Sequence, residues 1–161
     1  MITQAELKEL IHYDQKTGVF TWAKNRTKCK IGAIAGTFHV NGYTHIQINK
    51  KIYKAHRLAW LYIYGYIPKF IDHINCDRSD NRLCNLREAN IYQNNHNAKL
   101  SKNNKSGVKG VCWHKAANKW IANIEAYGKK IYLGLFEDLE FAELVVSEAR
   151  NKYHGEYVNH G

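Results

Sequence analysis

The chain has 161 residues, 45% of them hydrophobic and 12% aromatic, which suffices for one ordinary domain or two small ones. Lys and Arg number 24 against 14 Asp and Glu, giving a formal net charge of +10. No apolar run approaches the roughly 20 residues of a membrane span, and the start, MITQAELKELIHYD, lacks the pattern of a signal peptide. We therefore expect a folded cytoplasmic protein without a membrane partner.

The four cysteines are Cys29, Cys76, Cys84 and Cys112. They form no C-x-x-C pair and have no histidines at zinc-finger spacing, which disfavours a structural zinc site. Scattered thiols in an intracellular protein are usually reduced, so we favour free thiols over a disulfide between Cys76 and Cys84.

Four elements are predicted before residue 68: a helix at 4–12, a strand at 19–22, a β region at 31–53 and a helix at 55–65. The β region contains an Asn41-Gly42 hairpin signal between two alternating segments. The second helix is apolar and ends before Pro68.

The middle of the chain combines a short strand, FIDHI, with a polar loop that runs to about Asn85. The sequence REANIYQNNHNAK then predicts a helix over 87–99. Residues 98–107, AKLSKNNKSG, are polar and basic without apolar periodicity, which is typical of a linker.

Beyond the linker, three short strands with turns near Ala117-Asn118 and Gly128 precede a helix over 137–155. Residues 97–130 hold eight Lys and one acid, a net charge of +7, whereas residues 131–161 hold two basic residues and six acids, a net charge of −4. This split indicates two faces of one small unit, of which the basic face meets a polyanion, most commonly nucleic acid.

Asp72 and His73 are adjacent titratable residues bracketed by Ile71 and Ile74. Taken alone, such a pair is more often an ion-paired or hydrogen-bonded edge than a catalytic pair. The asparagines that follow favour a catalytic pair. A hard divalent cation binds carboxylate and amide oxygens, and a neutral imidazole beside it can take a proton from water. The pattern is that of a metal-assisted phosphodiester hydrolase.

Residues 55–97 resemble the HNH endonucleases of the phage and intron homing type, which carry a ββα-metal motif. The D-H pair, the N-L-R triplet beginning at Asn85 and the asparagine cluster after it occur in the order of that family. The upstream sequence YDQKTGVFTW and the hairpin before AHRLAW are also similar to the family's N-terminal region.

The resemblance implies a role for each matched residue. Asp72 and Asn94 would hold one Mg²⁺ or Mn²⁺ per active site, and His73 would be the general base that deprotonates the attacking water. Asn85 would fix the loop and orient His73. The products would carry 5′-phosphate ends, and no small-molecule cofactor is implied.

Neighbouring residues on a regular strand point to opposite faces, so this interpretation requires the strand to end, bulge or twist at Asp72-His73. Asn95, His96 and Asn97 are alternative ligands, because helix positions one apart differ by about 100°. His56 and Arg57 are expected to pack or to tie their helix to the site. Further candidate phosphate contacts are Arg78, Arg82 and Arg87.

Residues 106–159 resemble the ethylene-response-factor type of DNA-binding domain in the elements G-V-K-G-V, K-W-x-A-x-I, G-K-K-I-Y-L-G-x-F and H-G-E-Y. In that family a three-stranded sheet enters the major groove and a helix packs behind it. The implied contacts are Lys109, Trp113, Lys115, Trp120, Asn123, Lys130 and Tyr132, although Trp120 is equally suited to the core. Cys112 and Glu125 depart from the plant pattern.

These observations predict an α+β protein with a β-rich N-terminal region, a ββα-metal HNH core and a small domain of a three-stranded antiparallel sheet packed on one helix. The expected boundaries are 1–97 for the nuclease domain, with its core at about 55–97, 98–107 for the linker and 108–159 for the DNA-binding domain. The expected substrate is double-stranded DNA, and the expected compartment is the cytoplasm of a host cell if the protein is phage-encoded. Alternatives are a non-catalytic DNA-binding regulator and a nuclease that acts on RNA.

Overall fold

The computed structural model describes residues 2–27 and 29–160. The described chain is a mixed α/β structure with several small sheets. It divides into two compact units, Met1–Glu88 and Ala89–Gly161. The structural division therefore falls nine residues before the predicted domain boundary at residue 97.

The N-terminal unit begins with helix α1, Gln4–Leu10, whose N-terminus is capped by Thr3 and Glu6 in a capping box. The helix is shorter than predicted, because Ile11 already belongs to a strand and pairs with Trp22. The strands that follow α1 are β1 Ile11–Tyr13, β2 Phe20–Trp22, β3 Thr37–Phe38, β4 Thr44–Ile48 and β5 Lys51–Lys54.

Strands β1 and β2 form one antiparallel pair, and β3, β4 and β5 form a three-stranded antiparallel sheet in that order. The alternation predicted for the β region is present in β4, where Ile46 and Ile48 are buried and Gln47 is exposed. These two isoleucines join α1, the β1–β2 pair and the next helix in one core.

Helix α2, Ala55–Tyr64, follows β5 directly and buries Leu58, Ala59, Trp60 and Leu61. It ends at Gly65, whose φ of 80° is a left-handed conformation that glycine adopts without strain. The predicted end before Pro68 agrees with this boundary.

Strand β6, Phe70–His73, pairs with β7, Leu86–Ala89, in a two-stranded sheet. The predicted helix over 87–99 is therefore too long at its start. Arg87, Glu88 and Ala89 are good helix formers, but pairing with β6 overrides that preference. The helix itself, α3, covers only Ile91–His96 and is capped by Asn90 and Gln93.

The unit that begins at Ala89 contains α3, β8 Val111–His114, β9 Lys119–Ala126, β10 Lys129–Phe136 and α4 Leu139–His154. The three strands form an antiparallel sheet in the order β10-β9-β8, and α4 packs on it through Ala142 and Val146. A register shift interrupts β9–β10 pairing between Tyr132 and Gly134.

Polar side chains in and next to the predicted linker over 98–107 make hydrogen bonds to nearby backbone carbonyls. Ser106 Oγ donates to the carbonyls of Val108 and Val111, and Asn104 Nδ2 donates to the carbonyl of Val108. Lys109 Nζ donates to the carbonyls of His96 (2.8 Å) and Ala98. The polar composition that predicts a linker thus includes side chains that form hydrogen bonds with the backbone of a turn.

All four cysteines are free thiols. Among the helices that the structure describes, none is long and apolar enough to cross a membrane.

Candidate active site

The Asp72-His73 pair lies at the end of β6, where the strand gives way to a turn. His73 is the last residue of the strand, and its carbonyl accepts a hydrogen bond from the amide of Cys76 (2.8 Å). The turn places Cys76 at a φ of 58°. Strand termination is one of the distortions that the sequence interpretation requires, and both Asp72 and His73 are 5% exposed.

Asn85 joins the two ends of the loop that follows His73. Its Oδ1 accepts from the amide of Asn75 (3.0 Å), its Nδ2 donates to the carbonyl of Asp80 (2.9 Å), and its own carbonyl accepts from the amide of Ile74 (2.9 Å). Asn85 is buried, so these bonds are protected from water. They hold the backbone that follows His73, and the role of Asn85 in orienting a catalytic base stays a prediction.

The loop is stiffened further by its own side chains. Asp77 Oδ1 accepts from the amide and hydroxyl of Ser79, and Asn75 Nδ2 donates to Asp80 Oδ2 (2.8 Å). Arg82 and Asp80 form an ion pair at 2.6 Å. The abundance of Asp, Asn and Ser in this segment is thus explained by turns that these residues stabilise.

Asp72 is paired with Arg87, which lies on β7. Arg87 donates through Nε (2.9 Å) and Nη2 (2.8 Å) to Asp72 Oδ2. Both side chains are largely buried, and a buried carboxylate needs such compensation to remain charged. Arg87, a predicted phosphate contact, is thus engaged with Asp72.

The His73 ring lies against His56 of α2 and Tyr43 of the preceding hairpin. The His56 and His73 ring centroids are 4.9 Å apart in an edge-to-face arrangement, and Tyr43 is 5.1 Å from His56 and 6.0 Å from His73. Burial lowers the pKa of His73, although the charges of Asp72, Asp80 and Asp77 oppose that shift. The imidazole is therefore neutral at neutral pH, the form that can accept a proton.

Three cations gather at the same place. Lys54 Nζ lies 4.0 Å and Arg78 Cζ 5.2 Å from the Tyr43 ring centroid. Burial and the charges of Arg57 and Arg78 lower the pKa of Lys54. Arg57 also donates to the carbonyl of Pro68 (3.1 Å), which ties α2 to the segment before β6 as the sequence predicts. These cations place positive charge beside Tyr43, whereas the charges that act most strongly on His73 are those of Asp72, Asp80 and Asp77.

The asparagines around α3 have different roles. Asn90 caps the helix, and the Asn97 carbonyl accepts from Asn159 Nδ2 (3.0 Å). His96 is buried and stacks on His154 with ring centroids 3.7 Å apart. Asn94 is half-buried and Asn95 exposed. Asn94 belongs to the Ala89–Gly161 unit, whereas Asp72 belongs to the other, and its role as a metal ligand stays a prediction.

The predicted DNA contacts of the C-terminal unit fall into separate groups. Asn123 and Tyr132 are register partners on one face of the sheet, and the pair Lys130–Glu125 shares that face. Trp113 and Trp120 are also partners, but they lie edge-to-face at 4.9 Å and Trp120 packs against the core beneath α4.

The remaining two predicted contacts lie outside the strands. Lys115 is exposed in the turn after β8. Lys109 donates to three backbone carbonyls, those of His96, Ala98 and Asn159, and so binds the protein's own chain. The sheet face that carries Asn123, Lys130 and Tyr132 is therefore the surface that remains for a major-groove contact.

Sequence reasoning missed Gly18 and Tyr13 as supports of the site. The Tyr13 hydroxyl donates to the carbonyl of Asn81 (2.7 Å). Gly18 has a φ of 75°, and a Cβ there would lie 2.6 Å from the amide nitrogen of Arg82. The glycine in YDQKTG was a visible signal, but its partner in the loop lies more than sixty residues away and only the fold reveals it.

The environment of His56 predicts acid sensitivity. Burial, together with the positive charges of Lys54 and Arg57 and the nearby His73, lowers the pKa of His56 to about 3 from its ordinary value of 6.5. His56 is therefore protonated below pH 6.5 in the unfolded chain but only below about pH 3 in the folded chain. The stability contributed by neutral His56 is complete above pH 6.5 and decreases as the pH falls through this window.

Urea unfolding followed by circular dichroism should show a loss of about 2 kcal/mol between about pH 7.5 and about pH 5 from this group. His56→Phe, which keeps an aromatic ring but cannot titrate, should show a smaller loss over the same range. Equal losses in the two proteins would contradict the assignment.

Within the described residues, no group of three or more His, Cys, Asp and Glu side chains is arranged to hold a metal ion. A carboxylate and an amide oxygen with water ligands would not form such a group, and Mg²⁺ is commonly bound in that way.

Comparison with known proteins finds one family model and one relative. A family model described as HNH endonuclease matches residues 53–96, the segment that contains α2, β6, β7 and α3. Protein 3.8 of Escherichia phage T7 is 35% identical over 116 residues, which cover 68% of this chain and 93% of the phage protein. No solved structure matches the chain.

The matched segment contains Asp72, His73 and Asn85 together with the cations beside them. The HNH match indicates a nuclease and therefore a nucleic-acid substrate. The chain thus belongs to the family of phage T7 Protein 3.8, and its residues 53–96 form an HNH endonuclease domain.

Proposed function

We propose that the protein is a metal-dependent DNA endonuclease in which His73 is the general base and the C-terminal sheet holds the DNA. The observation that carries this proposal is the neutral, buried imidazole of His73 at a strand end, with Asp72 adjacent and the following loop clamped by Asn85.

The chemical step is hydrolysis of a phosphodiester. Neutral His73 takes a proton from water, the water oxygen forms a bond to phosphorus, and the bond to the 3′ oxygen breaks. The leaving oxygen takes up a proton, and the new end carries a 5′-phosphate. Lys54 and Arg78 supply positive charge at Tyr43, whose ring centroid is 6.0 Å from that of His73, and this charge would attract the phosphate and stabilise the charge that develops on it.

The donor types of the predicted ligands are those that a hard divalent cation such as Mg²⁺ or Mn²⁺ accepts: a carboxylate from Asp72 and an amide oxygen from Asn94. A bound cation would stabilise negative charge on the phosphate and the leaving oxygen. Arg87 positions the Asp72 carboxylate through hydrogen bonds from Nε and Nη2 to Oδ2.

Double-stranded DNA is the proposed substrate because the C-terminal sheet presents Asn123, Lys130 and Tyr132 on one face. A rigid sheet of this kind suits the major groove of B-form DNA better than the deep, narrow groove of RNA. Backbone contacts by lysines make the binding sensitive to salt.

A plasmid assay tests the proposal. Wild-type protein with Mg²⁺ should convert supercoiled plasmid to nicked or linear DNA, and excess EDTA should stop the reaction. Gel-shift measurements in EDTA give the binding separately from the cleavage. Binding without cutting in Mg²⁺ or Mn²⁺ would contradict the endonuclease and favour a DNA-binding regulator, whereas cleavage restricted to an RNA duplex would contradict the choice of substrate.

A further inference from the structure

A wide groove lies on the outer face of the β3-β4-β5 sheet in the N-terminal unit. His45 pairs with Thr37 across β3–β4, Gln47 pairs with Ile52 across β4–β5, and all four side chains share one face because His45 and Gln47 are two residues apart. The groove has a volume of about 910 Å³. Further lining residues are Trp22, Arg26, Thr27, Cys29 and Ile34, and we call this feature the sheet groove.

Apolar side chains in the sheet groove are unusually exposed. Ile34, Phe38 and Ile52 are 73%, 66% and 67% exposed, although each could have been replaced by a polar residue without cost to the core. Exposed apolar side chains that lie together in a concave surface commonly mark a binding site.

Flat polarisable surfaces accompany these apolar groups. The guanidinium of Arg26 lies 4.0 Å from the Trp22 ring centroid and is held there by donating to the carbonyl of Gln47 (3.0 Å). The rings of His39 and His45 stack with centroids 4.6 Å apart and planes 20° from parallel. Together with Phe38, they offer the kind of surface on which nucleobases stack.

The charge of the surrounding sequence points to a polyanion. Residues 15–71 contain eight Lys and two Arg and no Asp or Glu, a net charge of +10 from a segment that includes the whole three-stranded sheet. An apolar peptide would gain nothing from this charge. A nucleic-acid strand would gain from both the charge and the rings.

We propose that the sheet groove binds a single DNA strand with unpaired bases, by stacking bases on its rings and by attracting the phosphates. This inference rests on the proposed nuclease function and extends it to the N-terminal unit. A duplex keeps its base faces stacked inside, so the rings of the sheet groove cannot stack on them. Unpaired bases present those faces directly.

The test is binding of the full-length protein, in EDTA so that no cleavage occurs, to a fluorescein-labelled oligothymidylate of about 16 nucleotides. Fluorescence anisotropy should show binding to this strand, and a hairpin duplex of the same length measures in parallel the binding that the C-terminal sheet provides. Ile52→Glu places a negative charge in the groove without touching the core, and should weaken binding of the single strand by about tenfold or more.

Val40→Glu is the matched control, because Val40 is 98% exposed at the hairpin between β3 and β4 and does not line the sheet groove. It makes the same change of charge on the same unit and should alter binding by less than about twofold. Equal binding by the two variants would overturn the proposal. So would a concentration-dependent dimer in wild type that Ile52→Glu abolishes, since a second copy would then cover the groove.

Plasmid cleavage by the same proteins in Mg²⁺ separates the two proposals. Cleavage by wild type together with unchanged single-strand binding by Ile52→Glu would refute the groove and leave the nuclease standing. Single-strand binding that depends on Ile52, without cleavage in any divalent metal, would refute the nuclease and support the groove.

Discussion

His73→Ala should reduce plasmid cleavage by about 10²- to 10⁴-fold, the range that a positioned general base contributes. DNA binding should persist, because the cations beside His73 and the C-terminal sheet are unchanged. The rate in saturating Mg²⁺ and the affinity in EDTA measure the two properties separately. Loss of both would indicate that His73 supports the fold rather than the chemistry.

Free imidazole and the pH profile distinguish these roles further. Added imidazole should restore part of the cleavage by His73→Ala, since the substitution leaves space beside the phosphate site. In wild type the base must be neutral, and burial lowers its pKa below the ordinary 6.5. Activity should therefore persist somewhat below pH 6.5 and decline in more acidic solution. A variant without rescue and a profile that declines above pH 6.5 would contradict the assignment.

Gly18→Ala should cost about 3 kcal/mol of stability, because it combines a left-handed backbone with a collision. Its Cβ would lie 2.6 Å from the amide nitrogen of Arg82 and 2.7 Å from the carbonyl carbon of Asn81, and neither backbone atom can move freely. The loop bonded to Asn85 must shift, so cleavage should decrease as well. Urea unfolding and the plasmid assay measure these two effects.

Gly32→Ala is the matched control for Gly18→Ala. Gly32 has a φ of 81°, nearly the same as the 75° of Gly18, but no described atom lies within 4 Å of its added Cβ. It should lose only the backbone contribution of about 1 kcal/mol and retain its activity. Equal losses in the two variants would show that the contact with the loop has no energetic importance.

The sequence indicated Asp72, His73 and Asn85 as a group because their types and order are specific. It could not indicate that Arg87 pairs with Asp72, since a partner on another strand depends on register. The start of α3 was misplaced for a similar reason: residues 86–89 have helical preference, but pairing with β6 decides their conformation.

In the C-terminal unit too, the sequence predicts the elements but not the packing of individual side chains. The three strands and the helix follow from periodicity and turn residues, and they lie where the sequence predicts them. Alternation does not predict which face of the sheet the helix covers, so it cannot separate core residues from DNA contacts. Trp120 packs beneath α4, and Lys109 binds the carbonyls of its own chain.

The hydrogen bonds within the loop from Asp72 to Asn85 determine whether this loop can be grafted into another protein. The side-chain hydrogen bonds that Asn75, Asp77, Asp80 and Asn85 make within this loop join residues no more than ten positions apart. Such short closures cost little entropy and depend little on distant parts of the chain. A fourteen-residue peptide of this sequence, grafted between the paired strands of an unrelated hairpin, should therefore retain the shape of the loop, provided the host supplies surfaces equivalent to Tyr13 and Gly18.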